Sequence, residues 1–161
     1  MLDVGEKVPD FELPVGRADL HRERVKLSDA LAKGPVVISF YPLAFTKTCT
    51  QQMCDARDHM GSLARLNATI FGFSIDTPHS NAHFAKEQGL NFPILSDPNR
   101  EVVDAIWATE DVIGVKRVAK RGWMLIAPDG TVAEKWVADH AGHWLGNGPI
   151  EAALEKLAAR A

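Results

Sequence analysis

The sequence predicts a single α/β domain over residues 1–161, with one mixed sheet and helices on both faces. Three observations carry this. Residues 36–41 and 69–75 are apolar runs, each followed by a helical pattern, which makes two strand–helix units. Two later strand-like runs, 123–126 and 132–137, flank Pro128, Asp129 and Gly130, which is hairpin chemistry. The chain then closes on a stretch from Pro149 with apolar residues at helical spacing.

Taken in order, the first 35 residues are mixed. Pro9, Pro14 and Gly16 punctuate Phe11, Glu12 and Leu13, which read as a short extended piece. Residues 27–31 read as one helical turn capped by Ser28. Residues 36–41 are apolar enough to be a central strand covered on both faces. A helix carrying both cysteines follows and runs to about Arg65. The second buried strand spans 69–75, and Thr77 with Pro78 opens a helix over 78–88 that Gly89 ends. Residues 92–95 read as an extended link, and Asp97 with Pro98 as the cap of a helix reaching about Trp107. Residues 108–120 carry no clear period. In the last helix Ile150, Ala153, Leu154, Leu157 and Ala158 form a core-facing stripe. The resulting order is a thioredoxin-like architecture with added elements.

Composition excludes several function classes. The chain is 46% hydrophobic and 24% charged, with a net charge of -3, so no overall attraction to nucleic acid or an anionic membrane is expected. Lys116, Arg117, Lys120 and Arg121 are the densest basic group and read as a solvated loop. The N-terminus has neither the basic nor the apolar region of a secretory signal, and no apolar run reaches membrane-spanning length. Two cysteines are too few for a disulfide-built secreted scaffold. A cytoplasmic setting is therefore expected, where a disulfide would be transient and chemical.

Both cysteines lie where the first strong strand turns into a helix. With Cys49 at zero and about 100° per residue, Met53, Ala56, Met60 and Leu63 fall within about 40° of it, on the core-facing stripe. Cys54 falls roughly 140° away, between Arg57 and Asp58. In an intact helix the two Cα atoms would be roughly 8–9 Å apart. A disulfide needs less than about 7 Å, so pairing would require the first turn or two to unwind. Two readings of Cys49 stand at this point: a small buried hydrophobe, or a reactive thiol at a helix start beside Thr46, Lys47 and Thr48. The second has an electrostatic requirement. Shifting a thiol by about two pH units takes roughly 2.7 kcal/mol, and a helix terminus supplies about 0.3–1. A further cation must come from Lys47 or from elsewhere in the chain, and arginine would make the better-fixed donor.

No Cys-x-x-Cys, Walker loop, Gly-x-Gly-x-x-Gly or Gly-x-Ser-x-Gly occurs. His79 and His83, and His140 and His143, have spacings that can serve zinc, but no further ligand is evident. They read as solvated helix faces, and neither metal nor cofactor is expected.

Pro42, Thr46 and Cys49 fit the Pro-x-x-x-Thr-x-x-Cys signature, and the chain resembles the peroxiredoxins over nearly its whole length. Residues 5–13, 95–97 and 120–126 resemble the family's N-terminal segment, its Leu-Ser-Asp and its arginine-bearing strand. The run 40–46 is most similar to the AhpE branch, and a second cysteine five positions on also occurs in the PrxQ/BCP branch. The resemblance implies a thiol-dependent peroxidase without a cofactor. Cys49 would be the peroxidatic thiolate, and Thr46 would bond thiolate and peroxide. Arg121 would be the cation, and Pro42 the shield over the sulfur. Cys54 would be the resolving thiol, reopened by a thioredoxin-like or other thiol reductant. It implies a peroxide substrate, no nucleic-acid or membrane partner, and a possible homodimer. Lys47, Thr48, Gln52 and Trp107 depart from the family pattern. Alternatives from other classes are a general thiol–disulfide oxidoreductase and a non-catalytic redox sensor.

Overall fold

The structure, a computed structural model, describes residues 1–21 and 23–160. Its elements in chain order are β1 (Glu12–Gly16), β2 (Glu23–Lys26), α1 (Leu27–Leu31), β3 (Val36–Phe40), α2 (Lys47–Asp58), α3 (Met60–Arg65), β4 (Thr69–Ser74), α4 (Pro78–Glu87), β5 (Ile94–Ser96), α5 (Val103–Ile106), β6 (Thr109–Val112), β7 (Val115–Ala119), β8 (Gly122–Ile126), β9 (Val132–Val137) and α6 (Gly148–Ala158). Seven strands form one mixed sheet in the order β2-β1-β5-β4-β3-β8-β9. β3, β4 and β5 run parallel, joined through helices, while β8 lies antiparallel to β3 and pairs with β9 as a hairpin.

β3 is the centre of this arrangement. Its five residues are all buried, because each face of the strand meets a separate core. Val36, Ile38 and Phe40 join one cluster with α1, α5 and Trp107. Val37 and Tyr41 join the other with α2, α3, α4 and α6. The period-two alternation of a strand thus divides an unbroken apolar run between two layers.

Several elements differ from the sequence reading, each for a physical reason. Residues 27–31 are helical, but Ser28 lies inside the turn and is not its cap. The Asp10 carboxylate caps from outside, accepting from the Ser28 amide and hydroxyl, both at 2.9 Å. The cysteine helix breaks at His59, whose Nδ1 lies 2.7 Å from the Asp55 carbonyl; α3 then starts afresh. Thr77 caps α4 as expected, accepting from the Ser80 amide. Residues 94–96 are a full sheet strand rather than a link. Asp97 does cap, but across a loop: one carboxylate oxygen accepts from the Val102 and Val103 amides at 3.0 and 2.8 Å, so α5 is a single turn. Residues 109–119 form a separate two-stranded hairpin turning at Ile113 and Gly114, both at positive φ. The stripe of α6 ends early, with Leu157 half-buried and Ala158 exposed.

Candidate active site

The site sits at the C-terminal end of β3, where open α/β sheets leave a crevice for chemistry. Tyr41 and Pro42 leave the strand buried, and the chain then crosses Leu43, Ala44 and Phe45 to Thr46, the residue before α2. Phe45 is 53% exposed and has φ 67°. That left-handed conformation costs a non-glycine residue roughly 1–2 kcal/mol, so surrounding contacts must hold it. The Thr46 hydroxyl donates to the Leu43 carbonyl at 2.9 Å, which sets its rotamer and leaves its lone pairs available. The Thr46 carbonyl accepts from both the Thr50 amide and hydroxyl, closing the first turn of α2.

Cys49 lies in that turn, 1% exposed, on the same stripe as Met53, Ala56 and Leu63. Met60, expected on this stripe, is only half-buried. Arg121, immediately before β8, donates from Nη2 to the Cys49 Sγ at 3.2 Å, across 72 residues of sequence. β8 pairs with β3 so that Gly122 faces Phe40, which sets the neighbouring Arg121 beside the end of β3. The guanidinium is 2% exposed, and its other nitrogens are also occupied. Nη1 donates to Gln52 Oε1 at 2.7 Å, and Nε to the Ala141 carbonyl at 2.8 Å. Gln52 in turn donates to Ser39 Oγ at 2.7 Å and to the Phe40 carbonyl at 3.0 Å. A buried charge held by two neutral acceptors and by the sulfur is aimed, not free.

Trp107 supports the arginine from the other core. It stacks on Phe40 with ring centres 4.1 Å apart and planes 6° apart. Its Nε1 donates to the Lys120 carbonyl at 2.8 Å, fixing the backbone next to Arg121. Lys47, the alternative cation, is exposed. The basic group read as one solvated loop is split: Lys116 and Arg117 are exposed on β7, while Arg121 is buried.

Cys54 is elsewhere. It is half-buried, with Sγ 3.6 Å from Gln88 Oε1 at the end of α4, and both cysteines are free thiols. Around it Arg57 donates to the Gln88 carbonyl, and Asp55 accepts from Trp144 Nε1 at 2.7 Å. The structure thus brings Cys49 and Arg121 together on buried ground near Thr46 and Pro42, and turns Cys54 toward a different neighbour.

Sequence reasoning noted Gln52 only as a departure and missed its place in the scaffold. A signal existed: three residues after Cys49, Gln52 lies about 60° from it. A polar residue at the edge of a buried stripe calls for a partner. The Ala141 carbonyl carries no such signal, being backbone. His140 and His143 lie in the loop before α6, not on a helix face; they stack at 5.6 Å, and His143 meets Trp136 edge-on. Among the described residues no group of three or more His, Cys, Asp or Glu is arranged to hold a metal, and no helix is long and apolar enough to cross a membrane.

Comparison with known proteins identifies the family. The AhpC/TSA family model matches residues 4–135. Peroxiredoxin Bcp of Bacillus subtilis is 34% identical over 146 residues, covering 86% of this chain and 90% of that protein. Peroxiredoxin Bcp of Escherichia coli is 35% identical over 115 residues, 70% of each chain. A Mycobacterium tuberculosis relative is 42% identical over 104 residues, and that match spans 63% of the relative's length. Among solved structures, peroxidoxin BcpB of Mycobacterium tuberculosis superposes with a TM-score of 0.81 at 30% identity, covering 99% of this chain and 98% of that one. AhpC of the same organism superposes at 0.85 with 18% identity, a likeness of fold. On these grounds the chain belongs to the AhpC/TSA family, the family of the peroxiredoxins.

Proposed function

We propose that this chain is a thiol-dependent peroxidase that reduces hydrogen peroxide and organic hydroperoxides through Cys49. The observation that carries the reading is the 3.2 Å contact from a buried Arg121 to the Cys49 sulfur in the first turn of α2. The helix terminus and the guanidinium are the two positive groups beside the sulfur. In the first step the Cys49 thiolate attacks the terminal oxygen of ROOH. The O–O bond breaks, sulfur takes that oxygen as sulfenate, and RO⁻ leaves as ROH once protonated. Arg121 stabilises the negative charge as it moves from sulfur to the leaving oxygen. Thr46, its hydroxyl proton given to Leu43, accepts from the peroxide O–H. Pro42, buried beside the loop, limits water at the sulfur.

In the second step Cys54 attacks the sulfenic acid, forming a disulfide and releasing water; a dithiol such as a thioredoxin-like protein then reduces it by exchange. Cys54 faces Gln88, so this step requires α2 to unwind locally. The same observation favours a second reading, in which Cys54 is a bystander and an external thiol reduces Cys49 directly. A cytoplasmic site of action belongs with the reductants this cycle needs.

Intact mass after one equivalent of hydrogen peroxide, without reductant, tests both steps on the unmodified chain and Cys54→Ser. A loss of about 2 Da in the former, with sulfenic or sulfinic mass in the variant, establishes the disulfide. Oxygen addition in both would leave a one-cysteine peroxidase. No rapid oxidation in either would overturn the peroxidase reading and favour a redox sensor.

A further inference from the structure

The loop that delivers Thr46 is not held by the helix it leads into. It is docked on the β4–α4 junction at three points. At its start, the Tyr41 hydroxyl donates to Asn81 Oδ1 at 2.6 Å. At its middle, the Ala44 amide donates to Asp76 Oδ2 at 2.9 Å. At its end, the Phe45 ring meets Phe84 edge-on, with centres 5.2 Å apart. Of these three, the middle contact is the one that ties the loop backbone between Pro42 and the left-handed Phe45 to the junction; the Thr46 hydroxyl on the Leu43 carbonyl is a bond within the loop itself.

Asp76 is itself held in place. The Ser74 hydroxyl donates to the same Oδ2 at 2.7 Å, and the Asp76 amide donates back to Ser74 Oγ at 3.2 Å. Ser74 belongs to a buried network in which Asn81 Nδ2 reaches Ser74 Oγ at 3.1 Å and Ser96 Oγ at 2.7 Å. Ser74, Asn81 and Ser96 are fully buried and share their partners, which makes the junction a rigid reference. Tyr41 belongs to it too; burial foremost, then the nearby Asp76 and Cys49 charges, push its phenol well above its ordinary range, so it stays a neutral donor.

We propose that Asp76 is a positioning residue for peroxide reduction, setting Thr46 relative to Cys49 by holding the Ala44 amide. This rests on the reading of Cys49 as the peroxide-reactive thiol. Without the carboxylate, only the Thr46–Leu43 bond and the Phe84 ring oppose relaxation of Phe45 out of its left-handed conformation, and the chain that carries Thr46 shifts as it relaxes. Arg121 reaches Cys49 from β8 and does not depend on this loop. Peroxide attack needs both Thr46 and Arg121. Alkylation by iodoacetamide needs the thiolate alone. The two reactions of one sulfur therefore separate a positioning role from a general loosening of the fold.

The test measures both second-order rates for Asp76→Ala, Asp76→Glu and Asp76→Asn beside the unmodified chain. Asp76→Ala is expected to slow peroxide oxidation about 30- to 100-fold, the scale of an ångström-sized misplacement, with alkylation within twofold. Asp76→Glu keeps the charge but carries its oxygen one methylene too far, and should lose about tenfold. Asp76→Asn keeps an acceptor for the Ala44 amide and should recover to within about threefold of the unmodified rate. Peroxide rates unchanged in Asp76→Glu, or peroxide and alkylation rates falling together, would overturn the proposal. An unmodified chain that fails to react with peroxide would instead overturn the peroxidase reading.

Discussion

The first turn and the middle of α2 hold their cysteines by opposite means. Cys49 is enclosed by the core and contacted by a guanidinium 72 residues away, itself bonded to Gln52 and the Ala141 carbonyl. Cys54, five residues later, is half-buried and surrounded by contacts near the surface: Gln88, Arg57 and the Trp144–Asp55 bond. Buried polar bonds are costly to lose because their partners stay desolvated, whereas water replaces the surface ones. One helix thus combines a fixed reaction centre with a segment that can open at modest cost. In our reading, that is what a sulfur that must first be held still and then be met by a second sulfur requires.

This contrast can be broken most severely at its fixed end. Cys49→Ser should abolish peroxide consumption with a thiol reductant, whereas Cys54→Ser should leave the first oxidation near its original rate. Full turnover in Cys49→Ser would remove the site. Arg121→Ala should slow peroxide oxidation of Cys49 by about 100- to 1,000-fold, the loss typical of a preorganised charge donor. Arg121→Lys should recover little of it, since an ammonium cannot bond sulfur, Gln52 and Ala141 together.

Gln52→Ala tests whether the fixed end is also a stability element. It leaves Arg121 Nη1 and Ser39 buried with a partner missing, at about 1–3 kcal/mol. A melting point lower by about 2–12 °C is expected for a chain of this size. An unchanged melting temperature would mean that water replaces the amide. At the labile end, Trp144→Phe removes a charge-assisted bond beside Cys54 and should speed disulfide closure roughly three- to tenfold in stopped flow. An unchanged rate would show that Asp55 keeps its place during closure.

The smallest effect belongs far from both cysteines. Asp10→Ala removes the external cap of α1 and should lower the melting point by about 1–3 °C. Burial pulls the Asp10 carboxyl up, but bonds from Ser28 and the charge of Lys26 bring it below its ordinary value. The cap is therefore at full strength above the ordinary carboxylate range and is lost as pH falls through the lowered value. The difference between the two proteins should vanish in acid.

Local patterns explain which parts of this were legible in the sequence. The run 36–41 announces a two-faced strand because nothing polar but Ser39 interrupts it, and Thr77, Pro78 and Gly89 bracket α4 with standard cap chemistry. β1 was legible only as a short extended piece over 11–13 because Pro14 and Gly16 within it read as turn residues, and β2 escaped notice because it is short, charged and largely exposed. The hairpin over 109–119 turns on Ile113 and Gly114, where a β-branched residue occupies a positive φ that sequence rules assign to Asn or Gly. At the site, the helix-start cysteine and the demand for a cation follow from physics. That Arg121 meets the demand came only through family resemblance. The sheet brings β8 alongside β3, and no local pattern encodes that pairing.

Gly122 has no side chain with which to touch the sulfur or the guanidinium. Yet a Cβ placed there would run into the Trp136 carbonyl and come within 2.7 Å of the Trp107 ring. Backbone on one side and a stacked indole on the other leave no direction in which to yield. In a saturation library selected for peroxide tolerance, position 122 should therefore accept a single letter. Its depletion profile should be as steep as that of its neighbour Arg121, although the first is imposed by sterics and the second by charge.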